Sequence, residues 1–556
     1  MQSDLLDDTR RAYEAENQND LYRPLLFDAS PASSQSSKAI DLSDQRLVLP
    51  ATSDTLHELR AALSTMQDEY FSLWLGKWPS AIDWTAAVTN TYISATLSSL
   101  SSSSKNTKSQ PSEHGSIAHT LDNDINKFFA QTTAAYFGED AFAIRLQAYD
   151  DILWVVLEWL ESITFINQHS SHHDEHWHAK QFIPAFSHRA RVFYQLSEQG
   201  WDTRLCGGGM LWNPRLLPYK NAITNQLFIA ASIEMYLYYP GDGNCNPFLP
   251  TSVDECDDRG PRDPMFLANA IEAYAWLKTS NMTNHLGLYV DGFHISGYRA
   301  NRSKTVCDER NEMVYTYNQG VILSGLRGLW EATGNTTYLA DAYELLGNVV
   351  RATGWGSGNG KWAGLGRNGI LTELCDESGR CNQDGQAFKG IYFHHLTSFC
   401  MPLPGQAARE GRTYAANREV AARHKKKCEE STQWVTHNAK AAMRTRDKRG
   451  RFGGWWGVPT KAASTTSSDD SDEDVRLPEG AVDYRNDPGS IAEMEIDKKP
   501  TENIQEQRYE EQGSTNDGDL NDRGRGRTVE TQGSGLAVVR AMYEFSKLND
   551  NDADVS

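Results

Sequence analysis

The sequence predicts an all-α protein in which helical hairpins close into a ring. Three observations predict it. Apolar residues recur at helical spacing, as in Phe266, Leu267, Ala270, Ile271, Tyr274 and Leu277, and again in Ile322, Leu323, Leu326, Leu329 and Trp330. Alternating strand patterns are scarce. Six polar or aromatic clusters each stand immediately before an apolar helical run, and they recur at a nearly constant interval.

In chain order the clusters are Trp78-Pro79-Ser80-Ala81-Ile82-Asp83-Trp84, Tyr149-Asp150-Asp151, Tyr219-Lys220-Asn221-Ala222-Ile223-Thr224-Asn225, Tyr317-Asn318-Gln319-Gly320, Phe388-Lys389-Gly390 and Glu530-Thr531-Gln532. Asp83 to Asp150 spans 67 residues, Asp150 to Lys220 spans 70 and Asn318 to Lys389 spans 71. The two longer intervals, 98 and 141 residues, contain the Cys245 to Asp263 loop and a long acidic tract. A recurrence of this length is one helical hairpin with its loops, and six of them close an (α/α)6 toroid. The six helix starts then converge on one face.

The toroid is expected to occupy 51–457 and 527–548. Residues 1–50 read as a polar, irregular extension, the Ser-rich stretch from Ser98 to Ser116 as a loop, and 549–556 as a tail. The tract 458–526, acidic and poor in apolar residues, is expected to be a disordered insertion.

The second cluster carries the most chemistry. Asp150 and Asp151 stand at the mouth of Ile152-Leu153-Trp154-Val155-Val156-Leu157-Glu158-Trp159-Leu160, a helix apolar enough to be buried on most of its circumference. Its N-terminal dipole favours negative charge, yet adjacent carboxylates resist double ionisation, so one stays an acid beside a carboxylate. Glycosidic cleavage requires that pairing. An ordinary N-cap aspartate followed by an acid in the first turn is the plainer reading of the dipeptide alone. Six polar helix starts around one mouth favour a cleft for a carbohydrate, with aromatic faces for rings and amides or carboxylates for hydroxyls. The segment Cys206-Gly207-Gly208-Gly209-Met210-Leu211-Trp212-Asn213-Pro214 adds backbone that can approach a ligand closely, or a simple turn.

Composition sets outer bounds. A net charge of −20 argues against a nucleic-acid groove, although much of it is concentrated in the acidic tract. The eight cysteines include Cys375 with Cys381 and Cys245 with Cys256, which close short polar loops. Eight thiols allow about 105 pairings, and no connectivity is assigned. Sequons at Asn281, Asn301 and Asn335 lie in polar connections. Both features favour an oxidising, secretory environment, with the cell wall or the medium as destination. Met1 to Asp8 show no basic segment followed by an apolar one, so no signal peptide is visible, and an intracellular location stays open. There is no transmembrane run and no apolar C-terminal tail.

The order and spacing of Tyr149-Asp150-Asp151-Ile152-Leu153-Trp154, Gly207-Gly208-Gly209 with Trp212-Asn213, Tyr219 to Asn225, Tyr317 to Gly320 and Phe388-Lys389-Gly390 resemble glycoside hydrolase family 76. The family comprises endo-α-1,6-mannanases and fungal cell-wall relatives, and the resemblance runs from about Trp78 to about Glu544. It implies an (α/α)6 fold, retention of anomeric configuration, Asp150 as nucleophile and Asp151 as general acid/base. Asp83, Asp291, Asn225, Asn318 and Gln319 become candidate hydroxyl partners, and Trp212 and Tyr317 candidate stacking surfaces. Tyr149, Gly208, Asn213, Lys220, Asn221, Phe388 and Lys389 complete the expected substrate-binding set. The implied activity is mannan endo-1,6-α-mannosidase, with transglycosidase action on mannose-containing glycans of lipid-anchored wall proteins as the alternative.

Other classes fit less well. A terpene synthase or prenyltransferase needs a third carboxylate at the position Trp154 holds, and Glu158 comes too late. A non-catalytic mannan-binding toroid would not need both aspartates. The run His169 to His178 lacks a metalloprotease order and reads as a solvated loop, the acidic loop Asp254 to Asp258 lacks EF-hand spacing, and Arg423 to Lys427 reads as an exposed helix face. No metal and no cofactor are expected.

Overall fold

Five of the six clusters lie at the start of an inner helix, and Phe388-Lys389-Gly390, expected at a start, lies in the second turn of a helix whose N-cap is Asn382. The computed structural model describes residues 51–108, 115–171, 177–245, 260–409, 411–459, 476–487, 494 and 518–550. The expected N-terminal extension, His172 to His176, Asp254 to Asp258 and most of the acidic tract lie outside them. In chain order the main helices are α1 (Thr52–Tyr70), α2 (Asp83–Lys108), α3 (Gly115–Gly138), α4 (Tyr149–Ser170), α5 (Ile183–Glu198), α6 (Ala222–Tyr238), α7 (Pro264–Thr279), α8 (Val321–Thr333), α9 (Thr337–Ala352), α10 (Gln383–Cys400), α11 (Arg418–Glu429), α12 (Thr432–Arg444) and α13 (Val529–Asp550).

The inner helices are α2, α4, α6, α8, α10 and α13. Each packs against the next, and α13 returns to α2, which closes the ring of an (α/α)6 toroid. Outside it, α3 lies on α2, α5 on α4, α7 on α6 and α9 on α8, while α1 and α12 both lie on α13. Caps fix several starts: Asn221 Oδ1 accepts the Thr224 N–H, Asn382 Oδ1 accepts the Gly385 N–H, and Asp263 caps α7 ahead of Pro264.

The stretch from Ser98, expected as a loop, is helical through Lys108. Ser98, Ser99, Ser102 and Ser103 each return a hydroxyl to the carbonyl four residues earlier, so the polar atoms are satisfied without leaving the helix. Their small volume lets inner helices touch. Ser94 bonds Ser162 across α2 and α4 at 2.8 Å, and Ser101 bonds His169 at 2.8 Å. His169, which opens the histidine-rich run, is accordingly buried rather than solvated. Composition alone misread this surface because serine serves close helix contact as well as loops.

Three disulfides are described, Cys206–Cys307, Cys375–Cys381 and Cys400–Cys428, and Cys245 is also disulfide-bonded. Asn281, Asn301 and Asn335 are exposed. Among the described residues no helix is long and apolar enough to cross a membrane.

Inner helices α10 and α13 cross in close contact at Gly390. A Cβ at Gly390 would lie 2.6 Å from the Ser534 Cα and 2.9 Å from the Tyr92 hydroxyl. Gly390→Ala is therefore expected to lower stability by about 1–3 kcal/mol despite its better helix propensity, as overpacked cores do. Urea denaturation of the two proteins measures it.

Candidate active site

Main-chain bonds join the helix starts into one rim. The Tyr149 N–H donates to the Trp212 carbonyl and the Trp212 N–H to the Tyr219 carbonyl, each at 2.9 Å. Tyr219 begins β1 (Tyr219–Asn221), which pairs antiparallel with β2 (Gly292–His294), itself paired with β3 (Glu309–Asn311). The Ala222 N–H donates to the Asp291 carbonyl at 2.7 Å and so ties α6 to this small sheet.

Asp150 is only 2 % exposed at the start of α4. Its Oδ2 accepts the Trp212 indole N–H at 3.0 Å and an Arg485 guanidinium N–H at 2.8 Å, and its Oδ1 accepts the Asp151 backbone N–H at 3.2 Å. Asp151 is partly open, and its Oδ2 accepts the Ala148 N–H at 3.2 Å. Burial, reinforced by the charge of Asp150, raises the Asp151 pKa well above the carboxylate range, while Arg485 opposes the shift. The two neighbours thus sit in different environments, one bound by strong donors and one pushed towards its protonated form.

Two further carboxylates face the same guanidinium. Asp291 accepts the Tyr219 hydroxyl at 2.6 Å and the Asn318 amide at 3.4 Å; burial raises its pKa. Asp384 accepts the Trp84 indole N–H at 3.0 Å and the Asn382 amide at 3.1 Å, and burial raises it as well. Trp84 stacks on Trp154 with ring centroids 5.8 Å apart.

Arg485 comes from within the tract expected to be disordered. Residues 481–486 of that tract pack on the rim, because a tyrosine, a guanidinium and one side-chain amide stand among its acids. Tyr484 hydrogen-bonds His294 at 3.0 Å and sets its ring edgewise on Tyr219. Asn311 brackets Val482, accepting its N–H at 2.8 Å and donating to its carbonyl at 3.0 Å. Asp483 accepts the Tyr315 hydroxyl at 2.6 Å.

The expected substrate residues divide by what they touch. Trp212, Tyr317, Asn318 and Asp291 gather around Arg485 or its carboxylates. The Trp212 edge is taken by Asp150, and one face of Tyr317 by Phe388, stacked at 3.9 Å. Others serve the scaffold. Lys220, lowered by burial to about 8, donates to the carbonyls of Gly209 and Asp202. Asn225 bonds both backbone groups of Met210, Gln319 bonds both of Tyr289, and Lys389 forms a buried ion pair with Asp376. Asn221 caps α6, Asn213 turns its own loop by accepting the Arg215 N–H, and Tyr149 packs on Gly200. Gly208 serves a contact other than a ligand: a Cβ there would lie 2.9 Å from the Trp276 ring. Asp83 is exposed and accepts the Gln147 amide at 2.7 Å.

Sequence reading missed Arg485, Asp384 and Trp84 as site residues. Asn382-Gln383-Asp384 was a visible polar start only four residues ahead of the Phe388 cluster. A cavity of about 400 Å³, lined by Thr52, Ser103, Thr397, Tyr543 and Glu544, lies where α2, α10 and α13 end, remote from these carboxylates.

A ring of six inner helices with carboxylates gathered at one mouth defines an (α/α)6 toroid with a candidate active-site cleft. The profile of Glycosyl hydrolase family 76 matches residues 259–468. Mannan endo-1,6-alpha-mannosidase DFG5 of Saccharomyces cerevisiae is 26% identical over 214 residues, 36% of this chain and 37% of its own length. Mannan endo-1,6-alpha-mannosidase DCW1 of Candida glabrata is 24% identical over 231 residues, 40% of this chain and 42% of its own length. The matched segments thus span well under half of either relative. In structure, an inactive double-aspartate variant of the alpha-1,6-mannanase GH76A of Salegentibacter sp. HEL1_6, in complex with alpha-1,6-mannotetrose, superposes with a TM-score of 0.51 at 15% identity, covering 88% of this chain and 99% of that one. These similarities, a family profile over residues 259–468 and two fungal relatives, support the resemblance to glycoside hydrolase family 76.

Behind Tyr317, Glu373 accepts the Thr316 N–H at 2.9 Å and the Thr316 hydroxyl, and burial pushes its pKa up to about 8 from an ordinary 4.5. The folded protein therefore keeps a proton that the unfolded chain loses, and stability declines as pH rises from about 4.5 towards about 8. Glu373→Gln is expected to flatten that decline in urea midpoints measured across the same interval.

Proposed function

We propose that this protein cleaves α-1,6-mannosidic linkages with retention, Asp150 acting as nucleophile and Asp151 as general acid/base. The observation that carries the reading is the divergent setting of two adjacent carboxylates. Trp212 and Arg485 donate to Asp150 Oδ2, and its Oδ1 accepts only a backbone N–H among the described contacts. Asp151, raised by burial and by its neighbour, keeps a proton for the glycosidic oxygen.

In the first step Asp150 attacks the anomeric carbon while Asp151 gives its proton to the departing oxygen, leaving a mannosyl-enzyme ester. In the second, Asp151 takes a proton from water, which attacks the same carbon and frees Asp150. The family profile match over residues 259–468 supports the reaction class. The names of the fungal relatives and the oligosaccharide bound to the bacterial mannanase support the linkage. That bacterial variant is inactive with two consecutive aspartates replaced, the same adjacency as here. Buried polar atoms without a protein partner at this mouth, Tyr317 Oη, Asn318 Oδ1 and Asn221 Nδ2, suit a hydroxyl-rich ligand. The disulfides and exposed sequons fit a secreted or cell-wall protein.

Time-resolved products from unbranched α-1,6-mannan in heavy-oxygen water test the reading. Labelled shorter chains, absent with Asp150→Asn and reduced about 10²–10⁴-fold with Asp151→Asn, are expected. Redistributed chains without label would replace hydrolysis with transfer, and unchanged mannan would exclude this substrate. Turnover is also expected to fall on the alkaline side at a pH well above the ordinary carboxylate 3.8, where Asp151 loses its proton. A pH profile of kcat measures that limb.

A further inference from the structure

We propose that residues 478–487 are a strap that holds the cleft closed, with Arg485 occupying the place a sugar ring must take at Asp150. The inference rests on the reading of Asp150 and Asp151 as the reacting pair.

The strap is fastened on two sides of the mouth. On the sheet side, Asn311 brackets Val482, the Glu312 N–H donates to Gly480, and Tyr484 lies against Tyr219 and His294. On the α10 side, the Asn382 N–H donates to Asn486 Oδ1 at 3.0 Å and its amide donates to the Arg485 carbonyl. Gly385 makes room for this seat, since a Cβ there would lie 2.5 Å from Asn486 Oδ1. The chain thus passes over the mouth from the start of α6 to the start of α10.

Between those anchors Arg485 points inward. Its guanidinium bonds Asp150 Oδ2 at 2.8 Å, lies 4.7 Å from the Trp212 ring centroid and 6.0 Å from that of Tyr317. These are the carboxylate and the aromatic faces that a bound sugar would use. An anomeric carbon cannot reach Asp150 while that guanidinium is in place. The anchors are side-chain hydrogen bonds, one main-chain bond and the ring contacts of Tyr484, and the strap itself contains no inner helix, so it can leave without unfolding the ring. Val482 and Asp487 are already exposed.

The test compares the native protein with Arg485→Ala, which removes the plug, and Tyr484→Ala, which loosens the strap and leaves both Arg485 and Asp150 in place. Two readouts are taken: calorimetric affinity for α-1,6-mannotetraose, and mass-spectrometric labelling of Asp150 by a carbodiimide with an amine, which involves no sugar. Both variants are expected to bind about tenfold or more tightly, as for a site open less than about a tenth of the time, and both to expose Asp150 to label. Loss of turnover in Arg485→Ala with no gain in affinity or labelling in Tyr484→Ala would overturn the strap and leave Arg485 a group that positions Asp150. Equal labelling in all three proteins, with mannan still cleaved, would overturn the strap alone. Label appearing in both variants while none of the three binds or cleaves the tetrasaccharide would support the strap and sink the mannan reading.

Discussion

Everything at the mouth depends on how one buried anion is balanced. Asp150 is nearly inaccessible at the start of an apolar helix, where an unpaired carboxylate would be costly. The peptide dipole of α4, the Trp212 indole and the Arg485 guanidinium all supply positive potential to it. The same arrangement fixes geometry. Trp212 reaches Asp150 only because its backbone is bonded to both Tyr149 and Tyr219, so the side-chain contact and the junction between α4 and the sheet are one structure.

The ring beneath has a complementary requirement. Six inner helices must approach closely enough to seal a core while presenting polar starts at one end. Small residues solve the first problem, as in the Ser94–Ser162 bond and the contact of Gly390 with Ser534. Caps and main-chain bonds solve the second. Lys220, Asn225 and Gln319 belong to this solution: each places its polar atoms on backbone carbonyls or N–H groups that irregular segments leave without partners.

These details mark what was legible in the chain. Hairpin spacing and apolar periodicity are repeated properties, averaged over many residues, and they placed all six inner helices. The Asp150-Asp151 pair was legible because two adjacent charges ahead of so apolar a helix require an explanation. The division between ligand-facing and scaffold-facing polar residues was not, since Lys220 and Asp291 look alike in sequence and differ only in what stands opposite them. Serine at the end of α2 was misread for a related reason: its composition suits a loop, and only the neighbouring helix shows that it seals a contact. Arg485 was hidden by averaging of another kind. A window over 458–526 reports acidity, and within it Tyr484, Arg485 and Asn486 are three residues whose partners lie more than a hundred positions away in sequence.

A mouth lined by Asp150, Asp151, Asp291 and Asp384 is an electrostatic trap for positive charge. With no ligand bound, such a cluster must be neutralised by protonation or by a cation. The structure uses both, raising Asp151, Asp291 and Asp384 towards their protonated forms and bringing Arg485 to Asp150. The transition state of glycoside cleavage also carries positive charge, spread over the anomeric carbon and ring oxygen. The guanidinium thus fills the electrostatic place that the reacting sugar would fill. A site preorganised to stabilise that charge necessarily attracts a side chain that mimics it, and the strap is the segment that supplies one.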